Sequence, residues 1–147
     1  MRVFGHVGTY RPGDAFASRL ELSAARLHRP LRAGVSGAAA EGVDSIVLAG
    51  QYEDDVFAED TILYAGHGGR DPKTGRQTAD QELTDRNRAF LKSLDTQLPV
   101  RVLHKVLADD GRSVYRYEGL YQVQAAQYVR GRSGFLIWLF TLRPVRR

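Results

Sequence analysis

The chain has 147 residues and a formal net charge of +4, with 43% hydrophobic and 26% charged residues. Such values fit one domain with a real core and exclude wholesale disorder. No apolar run approaches the ~20 residues of a membrane span, the first residues do not read as a secretory leader, and the lack of cysteine excludes disulfides and thiolate metal sites, which suits a cytoplasmic protein.

In chain order, Phe16 to Leu22 partly alternates and is expected to be a strand, with helix as the alternative because an Ala-rich stretch follows. His28-Arg29-Pro30 ends that element, since proline removes a donor and restrains its predecessor. Residues 32–42, rich in Gly, Ala and Ser, read as an extended loop. Ser45 to Leu48 is a short buried strand running into a turn at Gly50, and Thr61 to Tyr64 is another, ending at Gly66. Thr84 caps the clearest helix, Asp85 to Gln97, with Phe90, Leu91 and Leu94 on one face and Pro99 beyond its end. Val100–Leu103, Val114–Tyr117, Leu120–Val123 and Phe135–Phe140 read as strands between Gly and Asp turns. Many short strands with one helix imply a curled sheet or open barrel.

Charge is unevenly laid out. Residues 1–40 carry +4, residues 41–85 carry −8 and residues 86–147 carry +8. Basic flanks around an acidic middle suggest a positive face that would suit a polyanion. Arginine makes up 18 of the 21 basic residues; its fork suits bidentate phosphate or guanine contacts, although codon bias alone would also produce the excess.

Two segments carry the chemistry: Leu48-Ala49-Gly50-Gln51-Tyr52-Glu53-Asp54-Asp55 and Leu63-Tyr64-Ala65-Gly66-His67-Gly68-Gly69-Arg70-Asp71. Each sets a tyrosine beside glycines, and Asp55 follows Tyr52 by three residues. Two aromatic faces and one acceptor are what a pocket needs to hold a single flipped nucleobase. By themselves, the same tyrosines also fit ordinary half-buried strand positions.

The chain resembles the SET- and RING-associated (SRA, or YDG) domain, a reader of modified cytosine. The likeness extends from Phe4 to Leu142. His28-Arg29-Pro30 followed by Ala33-Gly34-Val35-Ser36-Gly37 is similar to the family's loop before the pocket. The segment from Gly50 to Asp55 resembles GGYEDD, and the segment from Tyr64 to Asp71 resembles YTGxGGRD. Asp80-Gln81-Glu82-Leu83, Pro99-Val100-Arg101-Val102, Tyr117-Glu118-Gly119-Leu120-Tyr121 and Gly131-Arg132-Ser133-Gly134-Phe135 with Trp138 follow in family order. The resemblance implies an α+β, mainly β fold: a twisted, crescent-shaped open β-barrel, PUA-like, with one main helix and minor helical pieces, formed by residues 1–147 as a single domain.

It further implies a binding domain, not an enzyme, that needs no cofactor or metal. Its partner would be double-stranded DNA containing 5-methylcytosine or 5-hydroxymethylcytosine. The modified base would lie between Tyr52 and Tyr64, with Asp55 selecting cytosine and Gly34, Ala49, Gly50, Gln51 and Ala65 lining the pocket. The family usually has threonine where Ala65 stands, so room opens beside the base. Arg32 matches the position of a loop residue that fills the vacated stack, while Gly75-Arg76-Gln77-Thr78 is a short second finger without the asparagine-lysine-arginine tip of the animal hemimethyl-DNA readers. Arg29, Ser36, His67, Arg70, Arg130, Arg132 and Ser133 complete the expected DNA-groove and backbone contacts. The compact chain looks bacterial, like the domains that precede an HNH nuclease in modification-dependent restriction enzymes, and would be nucleoid-associated when bound; its end just after the domain is expected to continue into a nuclease or to leave one as a separate partner.

Two rival functions stand beside this one. A PUA-like architecture would also suit an RNA-binding module. Glu53, Asp54, Asp55, Glu59 and Asp60 could form a magnesium nuclease site, but no lysine or histidine motif for a general base accompanies them, and His6, His28, His67 and His104 lack metal-ligand spacing.

Overall fold

A computed structural model describes residues 2–50 and 52–145. Eight strands form one curled sheet in the order β2-β3-β6-β7-β8-β5-β4, with β1 paired to β7. The strands are β1 (Ala15–Phe16), β2 (Val35–Ala38), β3 (Gly42–Leu48), β4 (Val56–Phe57), β5 (Ile62–Ala65), β6 (Val100–Leu107), β7 (Ser113–Arg130) and β8 (Leu136–Pro144). All pair antiparallel except β3 with β6. The mainly β, open-barrel expectation is met. Among the described residues no helix is long and apolar enough to cross a membrane.

Several expected elements differ. Residues 16–22 form no single strand: Phe16 ends β1, and α1 (Arg19–Ala24) follows. Ser18 caps α1 by accepting from the Glu21 amide, and the Glu21 carboxylate accepts from the Ala17 amide at 2.8 Å. This reciprocal capping outweighs the partial alternation. Leu22 is buried, whereas Leu20 is exposed.

Residues 32–42 are not all loop, because β2 pairs with β3 there. Small side chains allow its close packing: a Cβ on Gly37 would meet the Gly42 carbonyl at 2.8 Å and Ala89 at 3.3 Å. The expected strands at 114–117 and 120–123 are one strand. Gly119, at φ +99°, absorbs a register shift opposite Val102 and Leu103, so β7 bends without ending.

The main helix, α2 (Asp85–Thr96), has Thr84 as its cap, and Gln97 adopts the left-handed conformation that closes it. Its buried face includes Ala89 and Phe90 but also the polar Asn87 and Ser93, while Leu91 and Leu94 are half-buried. Phe90 stacks on Phe140 at 4.2 Å and lies 5.6 Å from Tyr64. The helix thus packs inside the curl, and the core reaches the first tyrosine of the site.

Candidate nucleobase pocket

The sheet's two ends approach each other at Tyr64. This residue sits on β5, paired with Phe140 of β8, yet its hydroxyl lies 3.3 Å from the Gly34 carbonyl and 3.4 Å from that of Val47 on β3. Gly34 has no room for a side chain, since a Cβ would stand 2.9 Å from the Tyr64 hydroxyl. Burial raises the Tyr64 phenol's pKa, so it stays a neutral donor. At this seam a cavity of about 240 Å³ opens, lined in part by Arg32, Gly34, Tyr52, Tyr64, Ala65 and Arg70.

Tyr52 and Asp55 come from the turn between β3 and β4, closed by the Asp55 amide donating to the Tyr52 carbonyl at 3.2 Å. Asp55 Oδ1 accepts from the Ala65 amide at 2.8 Å, locking the carboxylate to β5. Burial pushes its pKa up to about 6, against the lowering effects of the Ala65 amide and the Arg70 charge. A partly desolvated carboxylate with one bonded oxygen is suited to take a donor on the other.

The neighbouring acids act differently. Asp54 Oδ1 accepts from the Arg132 amide at 3.0 Å, and Glu53 accepts from the Ser133 hydroxyl, which lowers the Glu53 pKa. They clamp the β7–β8 turn to the pocket turn. Among the described residues no group of three or more His, Cys, Asp or Glu is placed to hold a metal ion.

The loop carrying Arg32 is held from below. Arg19 donates to the carbonyls of Pro30 at 2.9 Å, Arg32 at 3.4 Å and Ala33. Buried His28 bridges Ser45 and the Ala33 carbonyl through its two ring nitrogens, at 2.7 and 2.8 Å. Desolvation lowers the His28 pKa to about 4, so the imidazole is neutral and each nitrogen has a distinct role.

The turn after β5 is held by carboxamides. Gln81 Nε2 donates to the Gly66 carbonyl at 2.8 Å, and Asn87 accepts from the His67 amide while donating to its carbonyl. Gln77 Nε2 donates to Gly68 and Ala79. Arg19, Gln81 and Asn87 were not singled out as site residues from sequence. The available signals were a polar residue buried on an apolar helix face and the shared Asp80-Gln81-Glu82-Leu83 motif.

The other expected site residues scatter around this frame. Ala49 and Gly50 do not line the cavity; Gly50, at φ +72°, turns the chain out of β3. Gln51 lies outside the described residues. Ser36 is corrected: it is buried on β2 and accepts from Arg2. Gln77 is corrected likewise, from finger tip to buried strut, and the Ser133 hydroxyl is committed to Glu53. His67 and Arg32 are exposed at the cavity rim. Arg76, Arg130 and Arg132 are exposed, with Arg130 donating to the Gly134 carbonyl. Exposed Arg29 lines a different cavity with His6 and Arg26.

Comparison with known proteins agrees with this fold. The SAD/SRA domain family model matches residues 3–147. E3 ubiquitin-protein ligase UHRF1 of Bos taurus is 37% identical over 167 residues, covering 95% of this chain and 21% of that protein. This chain therefore spans about a fifth of the length of such curated relatives. The crystal structure of the SUVH5 SRA bound to fully hydroxymethylated CG DNA superposes with a TM-score of 0.85 at 31% identity, covering 99% of this chain and 96% of that one. The modification-dependent TagI restriction endonuclease gives a TM-score of 0.89 at 37% identity, covering all of this chain and 54% of that one. The chain belongs to the SAD/SRA domain family.

Proposed function

We propose that this chain, as a single domain, binds double-stranded DNA containing 5-methylcytosine or 5-hydroxymethylcytosine and takes the modified base into the seam cavity. The observation that carries this reading is the convergence of Tyr52, Tyr64 and the Ala65 backbone at one cavity, with Asp55 anchored to that backbone. Extruding a base costs a few kcal/mol. Aromatic stacking returns roughly 1–3 kcal/mol per base, so two tyrosine faces about offset the cost.

Asp55 then supplies the choice of base. Methylcytosine and thymine share a methyl group but differ at position 4, where cytosine donates from an amine and thymine presents an oxygen. A carboxylate accepts from the first and repels the second. The methyl adds ~0.8 kcal/mol on burial, about fourfold in affinity, so plain cytosine is disfavoured but not refused. Ala65 leaves space for a hydroxymethyl group, and the SUVH5 SRA complex with hydroxymethylated DNA supports including that modification.

The likeness to a modification-dependent restriction endonuclease supports a targeting role for a nuclease in the same or a separate chain, and the sequence resemblance makes that nuclease one of HNH type. In this reading the domain is of the bacterial type and supplies the address while the nuclease supplies the cut. The magnesium-nuclease alternative is less favoured, because Glu53, Asp54 and Asp55 each hold a neighbouring turn or strand; competition between modified DNA and structured RNA separates the RNA-binding alternative.

Titrating one duplex with cytosine, 5-methylcytosine, 5-hydroxymethylcytosine or thymine at a single position tests the proposal. Tightest binding to the two modified cytosines is expected. Equal affinity for all four would reject it.

A further inference from the structure

Both aromatic faces of the proposed pocket are covered. The guanidinium carbon of Arg70 lies 3.7 Å from the centre of the Tyr52 ring, which is van der Waals stacking distance. Tyr64 is only 3% exposed although it lines the cavity. Arg70 lines that same cavity, and its Nη2 is buried without a hydrogen-bond partner. An arginine that merely coats a surface keeps its head in water. Leaving a charged donor buried and unbonded is unfavourable, and a cation–π contact offsets only part of that.

We propose that Arg70 is a stand-in for the base: before DNA binds, its guanidinium holds the stacking position on Tyr52, and the incoming pyrimidine displaces it. This rests on reading the seam cavity as the base pocket. The two groups share the necessary chemistry, since both are flat and both carry N–H donors. The Arg70 charge already acts on Asp55 and Tyr64. Displacement would relieve the orphaned Nη2, because the released fork can reach the phosphate backbone, its preferred partner. Base entry and backbone contact would then be one exchange. A pyrimidine without an amine would evict the cation without gaining the hydrogen bond to Asp55.

The test is the Nε–Hε signal of Arg70 in ¹⁵N-labelled protein, assigned by its loss in Arg70→Lys. In the DNA-free protein the signal should be shielded by the Tyr52 ring, and should lose that shielding in Tyr52→Leu. A saturating duplex with one 5-methylcytosine should return it to the ordinary arginine position, while an A·T-only duplex should leave it shielded. A signal unshielded without DNA, or still shielded in a complex that prefers the methylated duplex, overturns the stand-in role alone. Equal affinity for methylated and unmethylated duplexes overturns the stand-in and the pocket reading together.

Discussion

The hydroxyl of Tyr64 meets the Gly34 carbonyl at 3.3 Å, joining β5 to the entry of β2, two parts of the sheet that lie far apart in strand order. That contact crosses the seam where the cavity opens. Tyr64→Phe keeps the ring and deletes the bridge. Gly34 still accepts from the Val47 amide at 2.8 Å, so no carbonyl is orphaned, and the loss should be about 1 kcal/mol in urea denaturation. Modified-DNA affinity should fall less than in Tyr64→Ala, which also removes the stacking face.

Asp55 trades stability for recognition. Its pKa stands at about 6 in the folded chain against an ordinary 3.8, so between those values the folded state holds a proton that the unfolded state has released. Its contribution is therefore most favourable below pH ~4 and is lost as pH rises through ~6, an effect on the order of 3 kcal/mol at most. Asp55→Asn should be more stable than wild type at pH 7.5 and not at pH 4, read by denaturant unfolding at both. Binding runs the other way, because the ionised carboxylate is the stronger acceptor for the cytosine amine. Affinity for 5-methylcytosine duplexes should rise as pH increases through ~6, and that dependence should vanish in Asp55→Asn.

Arg19 positions the rim loop without touching the cavity. Its guanidinium bonds to three carbonyls of residues 30–33, and bonds to a charged donor contribute ~1.5–3 kcal/mol. Arg19→Met should cost about 2 kcal/mol in stability and weaken modified-DNA binding, with Arg19→Lys recovering part of both. Wild-type affinity in a folded Arg19→Met protein would show that the loop needs no such support.

Gly66 admits no side chain. A Cβ there would stand 2.5 Å from Asn87 Oδ1 and 2.9 Å from both Gln81 Oε1 and the Trp138 Cβ. Gly66→Ala should destabilise the chain by ~1–3 kcal/mol, as overpacking does, and displace His67 from the rim. Thermal unfolding measures the first effect and DNA titration the second.

Ala65 sets the room beside the base. Ala65→Thr narrows the cavity while leaving the backbone amide that anchors Asp55. The ratio of 5-hydroxymethylcytosine to 5-methylcytosine affinity should therefore drop relative to wild type in paired duplex titrations.

What the amino-acid order determined by itself is local. The capped helix after Thr84, the apolar strand Ser45–Leu48 and the tyrosine-glycine segments are written in short runs, because capping, alternation and turn chemistry act over a few residues. Motif spacing likewise singled out Tyr52, Asp55 and Tyr64, and the family resemblance added Ala65. Where competing local signals were close, as in residues 16–22, the capping bonds decided for helix. Tertiary structure alone decided the rest: Glu53 and Asp54 grip a turn about 80 residues away, Gln81 and Asn87 hold the Gly66 turn from outside it, and Arg70 lies over Tyr52. A side chain's periodicity reveals whether it is buried, but not which distant polar group meets it; only the closure of the curled sheet brings those partners together.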